Sequence, residues 1–185
     1  MKKRSIIMIS LVLALILLYS KQRGFLLTRT TDLDREAMDG IRIKDSIDSS
    51  FFTENFSAYI DPECNDMFYF KDANIRSYGL SFDKDKGAQM TIGFNELSNE
   101  ILYLSKYKEL PKKSLGNNIG NRGLVLGDRL EKVIEVYGKN YYTYGSKEDG
   151  PRGIGYIDRK NKLKLLFLHD DQNIVYFYSL EDLGN

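Results

Sequence analysis

One histidine and one cysteine limit the chemistry this chain can do with an imidazole or a thiol. His169 stands beside Asp170 and Asp171, the only place where an imidazole neighbours carboxylates. General acid–base work wants a base aimed at a reacting group from within a cleft. His169-Asp170-Asp171 instead opens a turn, where three adjacent residues rarely face one ion or one substrate. A Cys64–His169 pair is conceivable, but the two residues fall in different halves of the chain. Asp83-Lys84-Asp85-Lys86-Gly87 alternates carboxylates with lysines, which repel a cation, and it lacks the further carboxylates of a calcium loop. Gly116-Asn117-Asn118-Ile119-Gly120-Asn121-Arg122-Gly123 is rich in glycine but has no lysine–serine or lysine–threonine end for a phosphate-cradling loop. These residues predict no catalytic centre, no metal and no cofactor.

Tyrosine is the remaining signal. The chain has 13 tyrosines and no tryptophan, and Tyr141, Tyr142, Tyr144, Tyr156, Tyr176 and Tyr178 crowd its last 50 residues. Tyrosine buries a large ring yet keeps a polar end, which suits protein interfaces. A strand sends alternate side chains to opposite faces. Val175 and Phe177 then share a core face with Leu102 and Leu104, and Tyr103, Tyr176 and Tyr178 point the other way, toward water. Those three tyrosines are the expected binding residues, with Lys147 and Arg152 from the polar loop 145–155.

The elements that must position them come in two similar sets. Gly40-Ile41-Arg42-Ile43-Lys44-Asp45-Ser46-Ile47-Asp48 reads like Gly123-Leu124-Val125-Leu126-Gly127-Asp128-Arg129-Leu130-Glu131, 83 residues later. Thr91-Ile92-Gly93-Phe94 and, six residues on, Ile101-Leu102-Tyr103-Leu104-Ser105 are echoed 73 residues later by Lys164-Leu165-Leu166-Phe167 and Ile174-Val175-Tyr176-Phe177-Tyr178. A repeat of this length describes a supersecondary unit used twice. In the first copy Ile43, Ile47, Phe51 and Phe52 make an apolar helical stripe that Asp45 or Ser46 would cap. Strand-like runs follow at 67–70, 78–82, 88–94 and 101–104. In the second, Asp128 and Glu131 have capping-box spacing. Leu130, Val133, Ile134 and Tyr137 carry the helical period, and Gly138 ends it. Strands follow at 141–144, 153–157, 163–169 and 173–180. Short connections favour antiparallel pairing. The predicted fold is α+β: two units, 40–107 and 123–185, each a short helical element and an antiparallel meander, joined by a linker at 108–122.

The N-terminus is of another kind. Lys2, Lys3 and Arg4 precede a run, 5–20, without a charge, and Ile6 to Leu18 is almost wholly aliphatic. Such a run enters a bilayer. It is short for a full span of about 20 residues, but lysine and arginine stems at both ends extend it. No small-residue cleavage site follows, which favours an uncleaved transmembrane anchor over a signal sequence whose removal would leave a secreted protein. No cysteine follows either, which excludes a lipoprotein anchor. Residues 1–4 form the basic cytoplasmic end, and 21–39 read as a polar tether. Three cations before the run favour an inside N-terminus, which puts the remainder outside the cytoplasm. Cys64 alone permits no internal disulfide. Beyond residue 24 the chain holds 22 basic and 26 acidic side chains, so it offers no footprint for nucleic acid.

The segment 123–133, with Tyr137-Gly138-Lys139 after it, resembles the glycine–hydrophobic–x–hydrophobic–glycine–Asp opening of small α+β envelope modules. These include β-lactamase-inhibitor-protein-like tandem repeats and the related outer-membrane-assembly lipoproteins. The resemblance implies two units whose sheets form a continuous curved surface; in the inhibitor relatives such a surface binds another protein. The first unit departs from the pattern: Lys44 stands in place of the second glycine, and no tyrosine–glycine pair follows. No binding residues transfer. The expected function is a membrane-tethered extracytoplasmic protein-interaction module of a bacterial envelope, not an enzyme, whose partner is another envelope or secreted protein. A cell-wall-glycan or small-ligand binder is the first alternative, and an envelope hydrolase using His169 the last.

Overall fold

The computed structural model describes residues 28–60, 75–83, 88–95, 97–108, 118–119, 122–145 and 150–184. The fold is α+β. Helix α1 (Ser50–Phe56) runs into a 3-10 turn (Ser57–Tyr59), and strands β1 (Ile75–Asp83), β2 (Ala88–Asn95) and β3 (Ile101–Lys108) follow. A two-residue ladder of β4 (Asn118–Ile119) and β5 (Leu124–Val125) leads to helix α2 (Leu130–Tyr137). Strands β6 (Tyr142–Tyr144), β7 (Arg152–Asp158), β8 (Leu163–His169) and β9 (Val175–Asp182) complete it. All but β4 and β5 belong to one antiparallel sheet in the order β1-β2-β3-β9-β8-β7-β6. The predicted strand at 67–70 and the apolar run at 5–20 lie outside the described residues. Among the described residues no helix is long and apolar enough to cross a membrane.

The two segments that enter the sheet through a helix make the same hydrogen bonds. The Lys44 and Gly127 N–H groups donate to the Ile101 and Val175 carbonyls, each at 2.7 Å. Ile101 and Val175 donate back to the Asp45 and Asp128 carbonyls at 2.8 and 2.9 Å. Ile47 and Leu130 donate to Asn99 and Asn173 at 3.0 and 2.8 Å. Asp45 and Asp128 each turn a carboxylate back onto the N–H three residues earlier, on Arg42 and Val125, at 2.8 Å. Asn99 and Asn173 both take left-handed backbone, φ 58° and 62°. A bulge follows in both cases, at Gly93/Phe94 against β3 and at Leu168/His169 against β9. The structural offset here is 74 residues, where the sequence match gave 73, because the turn residues rather than the strand letters align.

Asp128 and Asp45 therefore do not cap helices. They close the loop before each one, and Ser49 caps α1 by accepting the Phe52 N–H at 3.2 Å. α1 starts at Ser50, so Ile43 and Ile47 are loop residues packed against the core rather than part of its stripe. Gly138 does end α2, at φ 87°, where left-handed backbone suits glycine.

One core fills the space between the sheet and the helices. The rows Ile154–Phe167–Tyr178–Lys106–Met90 and Tyr156–Leu165–Leu180–Leu104–Ile92 run across the sheet's inner face. Phe52 and Phe56 of α1 and Val133 and Tyr137 of α2 belong to the same cluster. The tether expected over 21–39 does not extend through residues 31–39. They are instead built in: Leu33, Ala37 and Met38 are buried. β6 is short, which leaves the Ile157 carbonyl free to accept the Thr31 N–H at 2.8 Å. Three small or medium apolar residues in a charged stretch give no clear period, which is why the sequence did not show this.

Asp158 fastens that segment. Its buried carboxylate accepts the Leu33, Lys160 and Asn161 N–H groups at 2.9, 3.0 and 3.0 Å and the Asn161 amide at 2.8 Å. Burial alone would raise its pKa, but those donors outweigh it and hold the carboxyl below its ordinary value. A carboxyl held low in the fold adds stability above its unfolded pKa and loses it as pH falls through the acid range. We expect Asp158→Asn to cost about 1–3 kcal/mol at neutral pH, because its amide meets donors with a donor. Denaturant unfolding at pH 7 and pH 3 should show a smaller acid loss in the variant than in the wild type. Equal losses would remove Asp158 as the cause.

Candidate functional site

The sheet's outer face carries three rows. The middle one, Tyr142–Gly155–Leu166–Ser179–Ser105, is buried although it faces away from the helices. Tyr142 lies over Gly155 so closely that a Cβ there would sit about 2.2 Å from the ring. Any side chain at that position would have to displace the Tyr142 ring. The lower row, Ile157–Lys164–Glu181–Tyr103–Gly93, is polar at its centre: Lys164 Nζ meets Glu181 Oε2 at 2.7 Å. The Tyr103 hydroxyl reaches the Ser105 and Ser179 side chains; its burial, with Glu181 nearby, raises its pKa.

The upper row is Tyr144–Gly153–Leu168–Phe177–Tyr107. It crosses five strands, about 19 Å at the usual strand spacing. Tyr107 is 42% exposed and Tyr144 44%, the most open tyrosines among the residues with described side chains. Tyr176, the extra residue of the bulge, meets Tyr107 edge to face with centroids 6.2 Å apart. This stripe of aromatic and aliphatic side chains contains no charge.

Of the expected binding residues, Tyr176 joins this stripe, and Tyr103 lies on the outer face but is half-buried in the serine network. Tyr178 is a correction. It is fully buried on the inner face, its ring 5.3 Å from Phe167. The bulge at Tyr176 shifts the alternation by one residue, so Val175, Tyr178 and Leu180 face the core and Phe177 faces out. Arg152 is ion-paired with Asp171 at the end of β7, and Lys147 lies outside the described residues. The sequence missed Tyr107, Tyr144, Phe177 and Leu168; a bulge leaves no signature in side-chain alternation. His169 Nδ1 lies 2.9 Å from the Asp170 carbonyl, and Cys64 is outside the described residues. Among the described residues no three metal-ligating side chains gather.

On the helix side a buried charge joins three parts of the chain. Glu36 accepts Arg122 Nε at 2.6 Å and the Tyr137 hydroxyl at 2.9 Å. Arg122 also donates to the Asp32 carbonyl at 2.7 Å and stacks 4.7 Å over the Tyr137 ring. Lys106, buried in an inner row, is ion-paired with Asp39. Beside Glu36 opens a polar cleft of about 350 Å³. Asp34, Arg42 and Lys44 line one wall and Lys160 and Lys162 the other, with Ile43 and Leu163 its apolar part. Lys44 and Lys162 adopt left-handed backbone, φ 76° and 56°, a conformation that costs a lysine roughly 1–2 kcal/mol.

No family model, known protein or solved structure matches the chain.

Among the described residues the Tyr178 hydroxyl has no hydrogen-bond partner, and complete burial drives its pKa far above that of free tyrosine. Such a group stays neutral in the fold, so stability is unaffected by its titration below about pH 10 and falls as pH rises beyond. Tyr178→Phe removes an unpaired buried hydroxyl, so its stability in urea should equal or exceed that of the wild type. Tyr178→Ala should lose about 3–5 kcal/mol. A Phe variant as damaged as the Ala variant would show that the hydroxyl has a partner within the fold.

Proposed function

We propose that this chain is a membrane-tethered extracytoplasmic module of a bacterial envelope, built from two copies of one α+β unit, that captures another envelope or secreted protein without catalysing a reaction. The observation that carries the reading is the outer stripe of Tyr144, Leu168, Phe177 and Tyr107 with Tyr176 beside it. Aromatic residues on a rigid uncharged surface are what protein interfaces concentrate at their centres. The sheet fixes their spacing, so little entropy is lost when a partner orders them. The duplicated hydrogen bonds before α1 and α2 support the two-copy reading. The likeness of 123–133 to inhibitor-type modules, whose sheets bind proteins, points the same way. The uncharged run 5–20 supplies the tether. A glycan-binding face is less well served, since Tyr107 and Tyr176 meet at 89° and form no flat platform for a sugar ring.

Tyr107 and Tyr144 are exposed, so replacing both by Ala should leave the thermal midpoint within a few degrees. Affinity for the partner should fall by about tenfold or more, as for interface anchors. Crosslinking capture from intact cells, with full-length wild type and the double variant side by side, reads this out. One envelope protein recovered by the wild type and lost by the variant is the expected result. Equal recovery by both would place the interface elsewhere.

A further inference from the structure

We propose that the cleft beside Glu36 binds a multiply charged, phosphate-bearing ligand about the size of a phosphorylated sugar or polyol. Arg42, Lys44, Lys160 and Lys162 line it, and none has an ion pair or side-chain hydrogen bond within the described residues. Glu36 is already taken by Arg122 and Tyr137, which leaves Asp34, among the described lining residues, as the one carboxylate against four cations. Beyond residue 24 the chain is acidic overall. Four unpaired cations around one hollow of such a body repel one another and gain from a shared anion.

The backbone adds an independent argument. Gly127 holds the position in the second half that Lys44 holds in the first, with the same hydrogen bond at 2.7 Å. There φ is 101°, which glycine adopts freely; Lys44 takes 76° against its preference. Lys162 repeats the pattern on the opposite wall. Strained non-glycine residues concentrate at ligand sites, where the side chain serves a purpose the backbone alone does not need. The walls are also preset: the Asp158 carboxylate bonds Leu33 behind one wall and Lys160 and Asn161 on the other.

The ligand class follows from the lining. Among the described residues Ile43 and Leu163 are its only apolar side chains, a lining that suits neither a lipid tail nor an apolar metabolite. A single carboxylate would use one or two of the cations. A phosphate with several anionic oxygens uses the Arg42 fork and the lysine point charges together. A volume of about 350 Å³ is at the small end of ligand sites. The phosphate can come from a soluble ligand or from a lipid headgroup, because the cleft begins at Asp34, close in sequence to the apolar run ending at Leu18.

Calorimetric titration of the full-length chain in neutral detergent micelles with pyrophosphate, at near-physiological salt, tests this. Saturable binding in the sub-millimolar range is expected. Lys44→Gly with Lys162→Gly should weaken it by about tenfold or more, while the thermal midpoint stays put or rises, since both substitutions relieve left-handed backbone. Doping the micelles with phosphatidylglycerol separates the sources: weakened pyrophosphate binding marks a headgroup that competes, and unchanged binding marks a soluble ligand. Absence of pyrophosphate binding in undoped micelles, or equal binding by the double variant, overturns the proposal. Because the cleft is on the helix side and the tyrosine stripe on the outer face, either result leaves the protein-capture reading to its own test.

Discussion

The pairing of β3 with β9 is the constraint from which the rest of the structure follows. Ser105 faces Ser179 at its centre, flanked by Leu104 against Leu180 and Lys106 against Tyr178. Large side chains on the outer row here would hold the seam's neighbours apart; two serines let Tyr103 close over it. This antiparallel pairing joins β1–β3 and β6–β9 into one sheet. It places β1 and β6 at the outer edges and lets one core run beneath both groups of strands. Either group of strands standing alone would bury too little surface to be comfortably stable. The seam removes that weakness without a disulfide.

A second, polar tie acts across the core. Glu36 belongs to the N-terminal segment, Arg122 to the stretch between the halves and Tyr137 to α2. Buried charges of this kind contribute little net stability but penalise every arrangement that separates them. Here they fix where the N-terminal segment crosses the sheet, and hence where the cleft walls stand. Asp158 repeats the device with backbone donors. The molecule thus has a seam between β3 and β9 that holds it together and two carboxylates that set its geometry.

Much of the architecture was legible in the residue pattern. Leu163, Leu165 and Phe167 alternate cleanly, and β8 falls where that alternation puts it. Gly138 marks the end of α2 because only a left-handed residue closes the helix there. The failures share a cause. Asp45 and Asp128 look like caps, yet each bonds backward rather than forward, and a lone aspartate does not announce which. Tyr178 was assigned to the wrong face because a bulge inserts one residue into β9. The cleft was invisible because its cations come from residues 42–44 and 160–162, brought together only by the fold. Lys44 alone carried a trace, as the lysine standing where the parallel segment has glycine.

The strand order has a consequence for how the chain comes to be folded. β9, the last described strand in sequence, is the fourth of seven in the sheet. Its two neighbours, β3 and β8, have no shared partner until it arrives. A chain growing from its N-terminus therefore holds two unfinished half-sheets, each with a bare inner edge, and closes them in a single final event. Completion of the core then waits on the arrival of β9.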